Sequence, residues 1–443
     1  MRLLRFAALA ALTLVVGAGC ATYSDHTRAA RESLARGDLQ SGEAQLNAML
    51  GVESSRELPA EWGSETALAV LERATVLQAM GDYATSARDF SAAEKELELL
   101  DIANDDVGSI GKYVFSDDAT KYKAPPTEKL LVNAFNMINY LARSDLQGAA
   151  VEARRFTVMR NYLEDYFPGV SHAAFGSYLA GFVFEQRGDW DEAMRYYDEV
   201  LQHGDAPSLH EPIRRLSRRA AYRTPRIDAI LAAGGTDAPN GDEGELLVVV
   251  KTGRVPVKEP ARIPIGAALG LASNYVSGDT KVLEYGLFKV VSYPELVATR
   301  DTFHGGSVRV AGAAAPTDHL TDVEAEIVRE YEAVKPKILG AALTRMITRA
   351  VAAEGARAAG RQQSKGLGFL AAALVEGTMV VLDKPDTRSW STLPADVQIA
   401  RIRVPAGSHE VTVELSGGPG ARLSRTIEVP AGGFAVADFT TLR

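Results

Sequence analysis

Side chains able to carry covalent or metal chemistry are few in this chain. It has one thiol, Cys20, in 443 residues, so a disulfide within the chain and a cysteine-based metal site both lack a second sulfur. Its 7 histidines, at positions 26, 172, 203, 210, 304, 319 and 409, include no His-Glu-x-x-His zinc pattern. His203, Asp205, His210 and Glu211 lie close together, yet such a cluster between helices reads as solvated. No Gly-x-Ser-x-Gly elbow and no Walker-type phosphate loop occurs. Carboxylates are plentiful, 57 Asp and Glu, but no pair stands out as acid and base. The expectation is a non-enzyme without cofactor or metal, a paired-carboxylate hydrolase being the one catalytic chemistry left open.

Recognition chemistry is better represented. Asn133, Asn136 and Asn139 share a broad face of a helix, where amides can bind the backbone of an extended peptide; otherwise they bridge neighbouring helices or face water. Arg154 and Arg155, in the following helix, can pair with carboxylates. In Asp386-Thr-Arg-Ser-Trp390, Asp386 and Arg388 can pair to pin a connection while Trp390 packs on the β module. The rival reading makes Arg388 and Trp390 an exposed contact site. Tyr178, Phe182, Trp190, Tyr196 and Tyr197 suit a sugar-binding surface or, more plainly, a core between helices.

The setting of Cys20 gives it a role. Met1 to Arg5 is short and positive, Phe6 to Val16 is apolar, and Gly17-Ala18-Gly19 supplies small residues before the cysteine. That is the layout of a secretory signal, too short for the about twenty apolar residues of a membrane span. It resembles a bacterial lipobox, with Gly17 where leucine is commonest. The resemblance implies a lipoprotein signal peptide over residues 1–19 and an acylated Cys20 (diacylglycerol and palmitate) as mature N-terminus. Ala21, in place of Asp, implies sorting to the outer membrane, facing the periplasm. Loss of Arg2 and Arg5 with the signal takes the formal charge from −9 to −11. So acidic a chain is a poor partner for nucleic acid or anionic lipid surfaces; the membrane is reached through the anchor.

Apolar and alanine residues at three- and four-residue spacing predict packed helices over residues 20–233. Gly37-Asp38, Gly81-Asp82, Ser144-Asp145 and Gly188-Asp189 each end one helix pattern and begin another. These stretches resemble tetratricopeptide (TPR) repeats, though their intervals exceed the usual period of about 34 residues. Residues 101–127 read as a loop across one face. A turn-rich linker spans 234–244, a β-rich segment 245–320, a helical insertion 321–382 and a C-terminal β-strand module 383–443. Strands are predicted at Leu246–Val250, Val282–Ser292 and Val308–Val310. Pro336 is expected to end one helix at Lys335 and start another. The apolar stretch Gly366–Leu382, broken by Glu376, reads as a buried helix. Val404-Pro-Ala-Gly407 recurs as Val429-Pro-Ala-Gly432, each predicted to end a strand. The fold class is α+β: an N-terminal TPR-like α-helical repeat array followed by a β-rich domain with inserted helices.

The lipobox, Pro126-Thr-Glu-Lys-Leu130, Val151-Glu-Ala-Arg-Arg155, Asp386-Thr-Arg-Ser-Trp390 and Leu393-Pro-Ala395 together resemble a family of Gram-negative outer-membrane lipoproteins. Its members are often encoded beside a lipoprotein similar to penicillin-binding-protein activators. The resemblance implies location and architecture, and no activity. The expected function is a lipid-anchored periplasmic scaffold binding other envelope proteins through the helical groove, in cell-wall synthesis or surface-structure assembly. The alternative is a protein that binds or cleaves peptidoglycan or another polysaccharide. Metabolic labelling with a fatty acid checks the anchor: label and membrane association are expected for the parent chain and lost in Cys20→Ser.

Overall fold

Three of the four Gly-Asp and Ser-Asp junctions act as the sequence predicts throughout. Gly37, Gly81 and Gly188 take the left-handed backbone that closes a helix, and Ser144 takes it too, at φ 57°. Asp38, Asp82 and Asp145 then accept a hydrogen bond from the backbone N–H three residues on, at 3.0, 3.1 and 2.9 Å. Each carboxylate so satisfies a donor that the next helix leaves free. Asp189 differs, accepting from the Arg187 side chain at 3.3 Å. The junctions join α1 (Tyr23–Ala35) to α2 (Leu39–Leu50), α3 (Thr66–Met80) to α4 (Tyr83–Glu94), α5 (Pro126–Ala142) to α6 (Leu146–Tyr166), and α7 (Ala174–Arg187) to α8 (Trp190–Leu201). Successive hairpins pack on one another in chain order. Two shorter helices, α9 (His210–Leu216) and α10 (Pro225–Ala233), follow α8.

The structure, a computed structural model, describes residues 21–100, 121–166, 174–235, 242–284, 290–299, 303, 305–361, 384–417 and 421–443. Cys20, most of the 101–127 loop, most of the 234–244 linker and the Gly366–Leu382 stretch lie outside them. The architecture is mixed α+β.

Short strands β1 (Glu98–Leu99) and β2 (Lys123–Ala124) pair in parallel between α4 and α5. Strand β3 (Glu243–Thr252) begins inside the expected linker and is buried along nearly its whole length. It lies between β12 (Phe434–Thr440), to which it is parallel, and β9 (Asp396–Pro405), which continues antiparallel to β8 (Asp318–Asp322). A second sheet, all antiparallel, runs β11 (Arg422–Val429), β10 (Gly407–Leu415), β6 (Gly306–Val310), β7 (Ala313–Pro316). This corrects the expectation of a separate module over 383–443: its strands share both sheets with residues 243–322, because β12 completes its hydrogen bonds on β3. Val282–Ser292 is corrected as well. Thr280–Glu284 is a short 3-10 helix, and the strand is β5 (Val290–Val297), paired with β4 (Val257–Pro264). Both Pro-Ala-Gly copies sit at strand ends, after β9 and after β11.

Pleating sorts the apolar residues of the first sheet into two cores. Leu246, Val248, Val250, Ile402 and Phe439 face the second sheet and meet Val308, Val411 and Val413. Leu247, Val249, Ile399 and Val436 face the helices and join one core with Leu71, Phe90, Phe135 and Phe182. The layers are thus helical array, sheet, sheet. A third core lies apart, where α11 (Ile265–Ala272), β5 and α12 (Val323–Arg361) bring together Ala268, Val291, Leu339 and Leu343.

Helix α12 runs unbroken for 39 residues with Pro336 inside it, contrary to the expected break at Lys335. Proline removes one helical hydrogen bond, but the turn before it is held from outside. The Tyr331 hydroxyl donates to the Pro294 carbonyl, and Lys335 pairs with Glu295 at 3.0 Å.

Between helices and sheet runs the segment 384–395, which carries Trp390 at the start of a turn closed by Leu393 N on the Trp390 carbonyl at 3.2 Å. Its ring is buried, 5.9 Å from those of Phe90 and Phe135, and its indole N–H donates to Thr75 at 3.0 Å. Trp390 therefore packs on the helices, not only on the β module as expected. Because helices and sheet share this core, Trp390→Ala is expected to cost about 3–5 kcal/mol. Helix and sheet signals should move together in urea; two separate transitions would show independent halves.

Candidate partner-binding site

Asn133, Asn136 and Asn139 do not line an open groove. All three are buried, at most 2% exposed, because antiparallel α4 packs on the face they share. Asn133 Nδ2 donates to Glu94 and Glu152 at 2.8 and 3.0 Å, Asn136 to Ser91 at 3.2 Å, and Asn139 to Ser86 at 2.9 Å. Asn139 also accepts from Gln78 Nε2 at 2.8 Å. The order 133, 136, 139 against 94, 91, 86 is that of two antiparallel helices stitched by amides. With every amide partnered inside, no donor is left for a peptide.

The arginines of the same expected groove fare differently. Arg155 reaches back to Glu94 and Glu152, both at 3.2 Å, and stays about half exposed. Arg154 is exposed, and beside the pair the outward side of α6 carries Val151, Val158 and Tyr162, exposed by 43, 71 and 44%. Steps of seven and four residues place these three on one stripe. The opposite side of α6, with Ala149, Ala150, Ala153, Phe156 and Leu163, is buried in the array. Sequence reading missed the outward three. Their spacing was the available signal, a second apolar stripe on a helix that needs only one.

Asp386, Arg388 and Trp390 form the structural pin. Arg388 grips Asp386 with Nε and Nη2 at 2.8 and 2.9 Å, donates to the Ser64 carbonyl at 3.1 Å and lies over the Tyr122 ring. The guanidinium beside it holds the Asp386 carboxyl below its usual range against the opposing effect of burial. Arg388 and Trp390 are both buried, so neither is an exposed contact.

Three buried glutamates surround this strap. Glu72 receives Tyr23 Oη at 3.3 Å, Ser391 N and Oγ at 2.7 and 2.8 Å, and Thr392 N at 2.7 Å. Glu128 receives Tyr122 Oη at 2.7 Å and Trp390 N at 3.2 Å. Glu330 of α12 receives Thr127 N and Oγ at 3.0 and 2.8 Å. Burial pushes the Glu72 carboxyl up, that of Glu128 to about 7 and that of Glu330 to about 8. None is open to a ligand.

The remaining expected groups also settle into structure. Tyr178, Phe182, Tyr196 and Tyr197 are core residues, and half-buried Trp190 lies under the Arg219 guanidinium, so they make no sugar platform. His210 pairs with Asp205 at 2.7 Å and Glu211 with Arg215 at 3.3 Å. Among the described residues no group of three or more His, Cys, Asp or Glu is arranged to hold a metal ion, and no helix is long and apolar enough to cross a membrane. A cleft of about 650 Å³, which the sequence did not signal, opens between α1, α2 and the start of α3. Gln45, Met49, Ser64 and Thr66 line it, with His26 bonded to Glu65 at 2.9 Å.

The raised glutamates fix a pH dependence. In the unfolded chain they ionise in the ordinary carboxylate range, while in the folded chain Glu128 and Glu330 hold their protons to about 7 and about 8. The folded state therefore binds more protons between those limits, and its stability must fall as pH rises through them. Urea midpoints are expected to drop from about pH 5 to about pH 8, and Glu330→Gln, which cannot ionise, should flatten the drop. An equal slope in the variant would remove Glu330 from the account. Compared with protein-family models, curated proteins and solved structures, the chain matches none of them.

Proposed function

We propose that the chain is a lipid-anchored periplasmic scaffold that binds another cell-envelope protein through the outward side of α6. The carrying observation is the stripe of Val151, Val158 and Tyr162 beside Arg154 and Arg155. Exposed large apolar side chains aligned on one helix are uncommon away from contact surfaces. Exposed Arg154, between Val151 and Val158, favours one kind of occupant: an amphipathic helix with an apolar stripe and at least one carboxylate. Helical hairpins stacked in chain order, with Gly-Asp junctions, support the TPR-like reading of the array. Anchoring rests on the residues around Cys20. The resemblance to outer-membrane lipoproteins supports a partner engaged in cell-wall synthesis or in assembling a surface structure.

The cleft beside His26, with its mixed polar and apolar lining, favours a second reading, in which peptidoglycan or a polysaccharide is the ligand. Photo-crosslinking in cells from position 158 of the lipidated protein separates the two. A discrete protein adduct, lost when Val151 or Arg154 is changed to Asp, is expected. No adduct from position 158, together with retention on purified sacculi in the absence of other protein, would overturn the scaffold in favour of the glycan ligand.

A further inference from the structure

Guanidinium nitrogens of two arginines, one on α1 and one just before β4, lack the acceptors that burial demands. Arg254 stands in the short connection from β3 to β4. It is 7% exposed, and its Nε and Nη1 are shielded from water with no hydrogen-bond acceptor among the described residues. Arg31 of α1 has a side chain 13% exposed. Its Nη2 donates to the Ser24 carbonyl at 2.7 Å and to Glu259 at 2.8 Å, while its Nε is buried and unpartnered. The two cations oppose each other: the Arg31 charge, after burial itself, pulls the proton affinity of Arg254 down.

The acid whose charge acts on Arg254 is Glu72, and it is already engaged. Its Oε1 accepts from Tyr23 and from both donors of Ser391, its Oε2 from Thr392 N. Glu259 is held by Arg31. A guanidinium keeps its charge at physiological pH, so a buried one with Nε and Nη1 unsatisfied is strongly unfavourable. An oxyanion supplies both missing elements, a negative charge and several lone pairs, and the planar fork of arginine fits a carboxylate or phosphate.

We propose that Arg254 and Arg31 form a binding site for one small oxyanion of the phosphate or carboxylate type, between α1 and the start of β4. Arg254 offers Nε and Nη1, Arg31 offers Nε, and Glu259 holds Arg31 in place from its other side. The site is separate from the outward face of α6 and does not depend on the scaffold reading.

Thermal unfolding of the full chain tests this. Midpoints are measured in chloride at fixed ionic strength while chloride is exchanged for inorganic phosphate, acetate or glycerol phosphate. A ligand that binds only the folded state raises the midpoint with its concentration, and such a rise is expected for at least one of these anions. Arg254→Met should abolish it, while in chloride alone the variant should be as stable as the parent, having lost an unpaired buried charge. Glycerol phosphate acting as well as inorganic phosphate would admit a lipid headgroup as the source; inorganic phosphate alone would indicate a free ion. An equal rise in parent and variant, a general salt effect, would overturn the proposal, as would no rise with any anion. Should Arg254→Met fail to fold, Arg31→Gln serves instead, with the linewidth of the phosphorus resonance of added phosphate reporting binding directly.

Discussion

The Glu72 carboxylate is the interaction on which the layered arrangement depends. It lies within α3, fully buried, and accepts from the hydroxyl of Tyr23 on α1 and from the backbone and side chain of the strap at Ser391 and Thr392. A buried carboxylate is tolerable only when its lone pairs are taken; here donors from two other segments take them. The consequence is positional. Ser391 and Thr392 can reach Glu72 only if Trp390 enters the helical core, and with Trp390 seated, β9 emerges beside β3. Ser24 N donates to Thr387 Oγ at 3.0 Å from the other side, so α1 is fixed to the same strap. Local helix chemistry builds the hairpins, but the strap fixes where the sheet lies.

A second set of buried charges sets the register of sheet on helices. Lys251 points from β3 into the array, close to Asp438 of β12 at 3.1 Å, bonded to Gln78 and above the Phe135 ring. Arg401 points from β9 to Glu185 of α7 at 2.8 Å and to Glu245 of β3, and Arg215 of α9 closes on Glu185 at 2.5 Å. Apolar contact between a sheet and a helical layer tolerates sliding; these pairs do not. A one-residue slip of β3 would send Lys251 into the core between the sheets, where Leu246, Val248 and Val250 now lie. Such pairs add little net stability after their desolvation, and their weight falls on selecting one arrangement.

What the sequence displayed, and what it concealed, follows from the range of the interactions. The Gly-Asp junctions, the buried run Leu246–Val250 and the Pro-Ala-Gly turns were legible because their causes lie within a few residues. The Asp386–Arg388 pair was legible for the same reason. Pairing of β12 with β3 was not, since the partners lie nearly two hundred residues apart and both strands would suit many neighbours. The asparagines misled because an amide with a buried partner and one awaiting a peptide look alike in sequence; only α4 packed against them decides. Pro336 misled because its cost is met by contacts from β5, again remote. Arg254 carried no local signal at all: its interest lies in what fails to surround it.

The outward side of α6 has the opposite property: Val151 and Val158 stay exposed on a helix already held from its other side. The helix is already anchored by Ala149, Ala153, Phe156 and Leu163, and an exposed position gains nothing from a β-branched residue, which is a modest helix former. From Val151 to Tyr162 the stripe spans roughly 16 Å, about three helical turns, enough for one short partner helix. A contact of that size falls at the low end of specific interfaces and would be transient between freely diffusing proteins. Under the proposed anchoring through Cys20, the chain does not diffuse freely. Confining scaffold and partner to one membrane surface raises their effective concentration, and a weak contact then suffices. The modest area of the stripe therefore fits the proposed anchor, since a weak contact is enough for a partner confined to the same membrane surface.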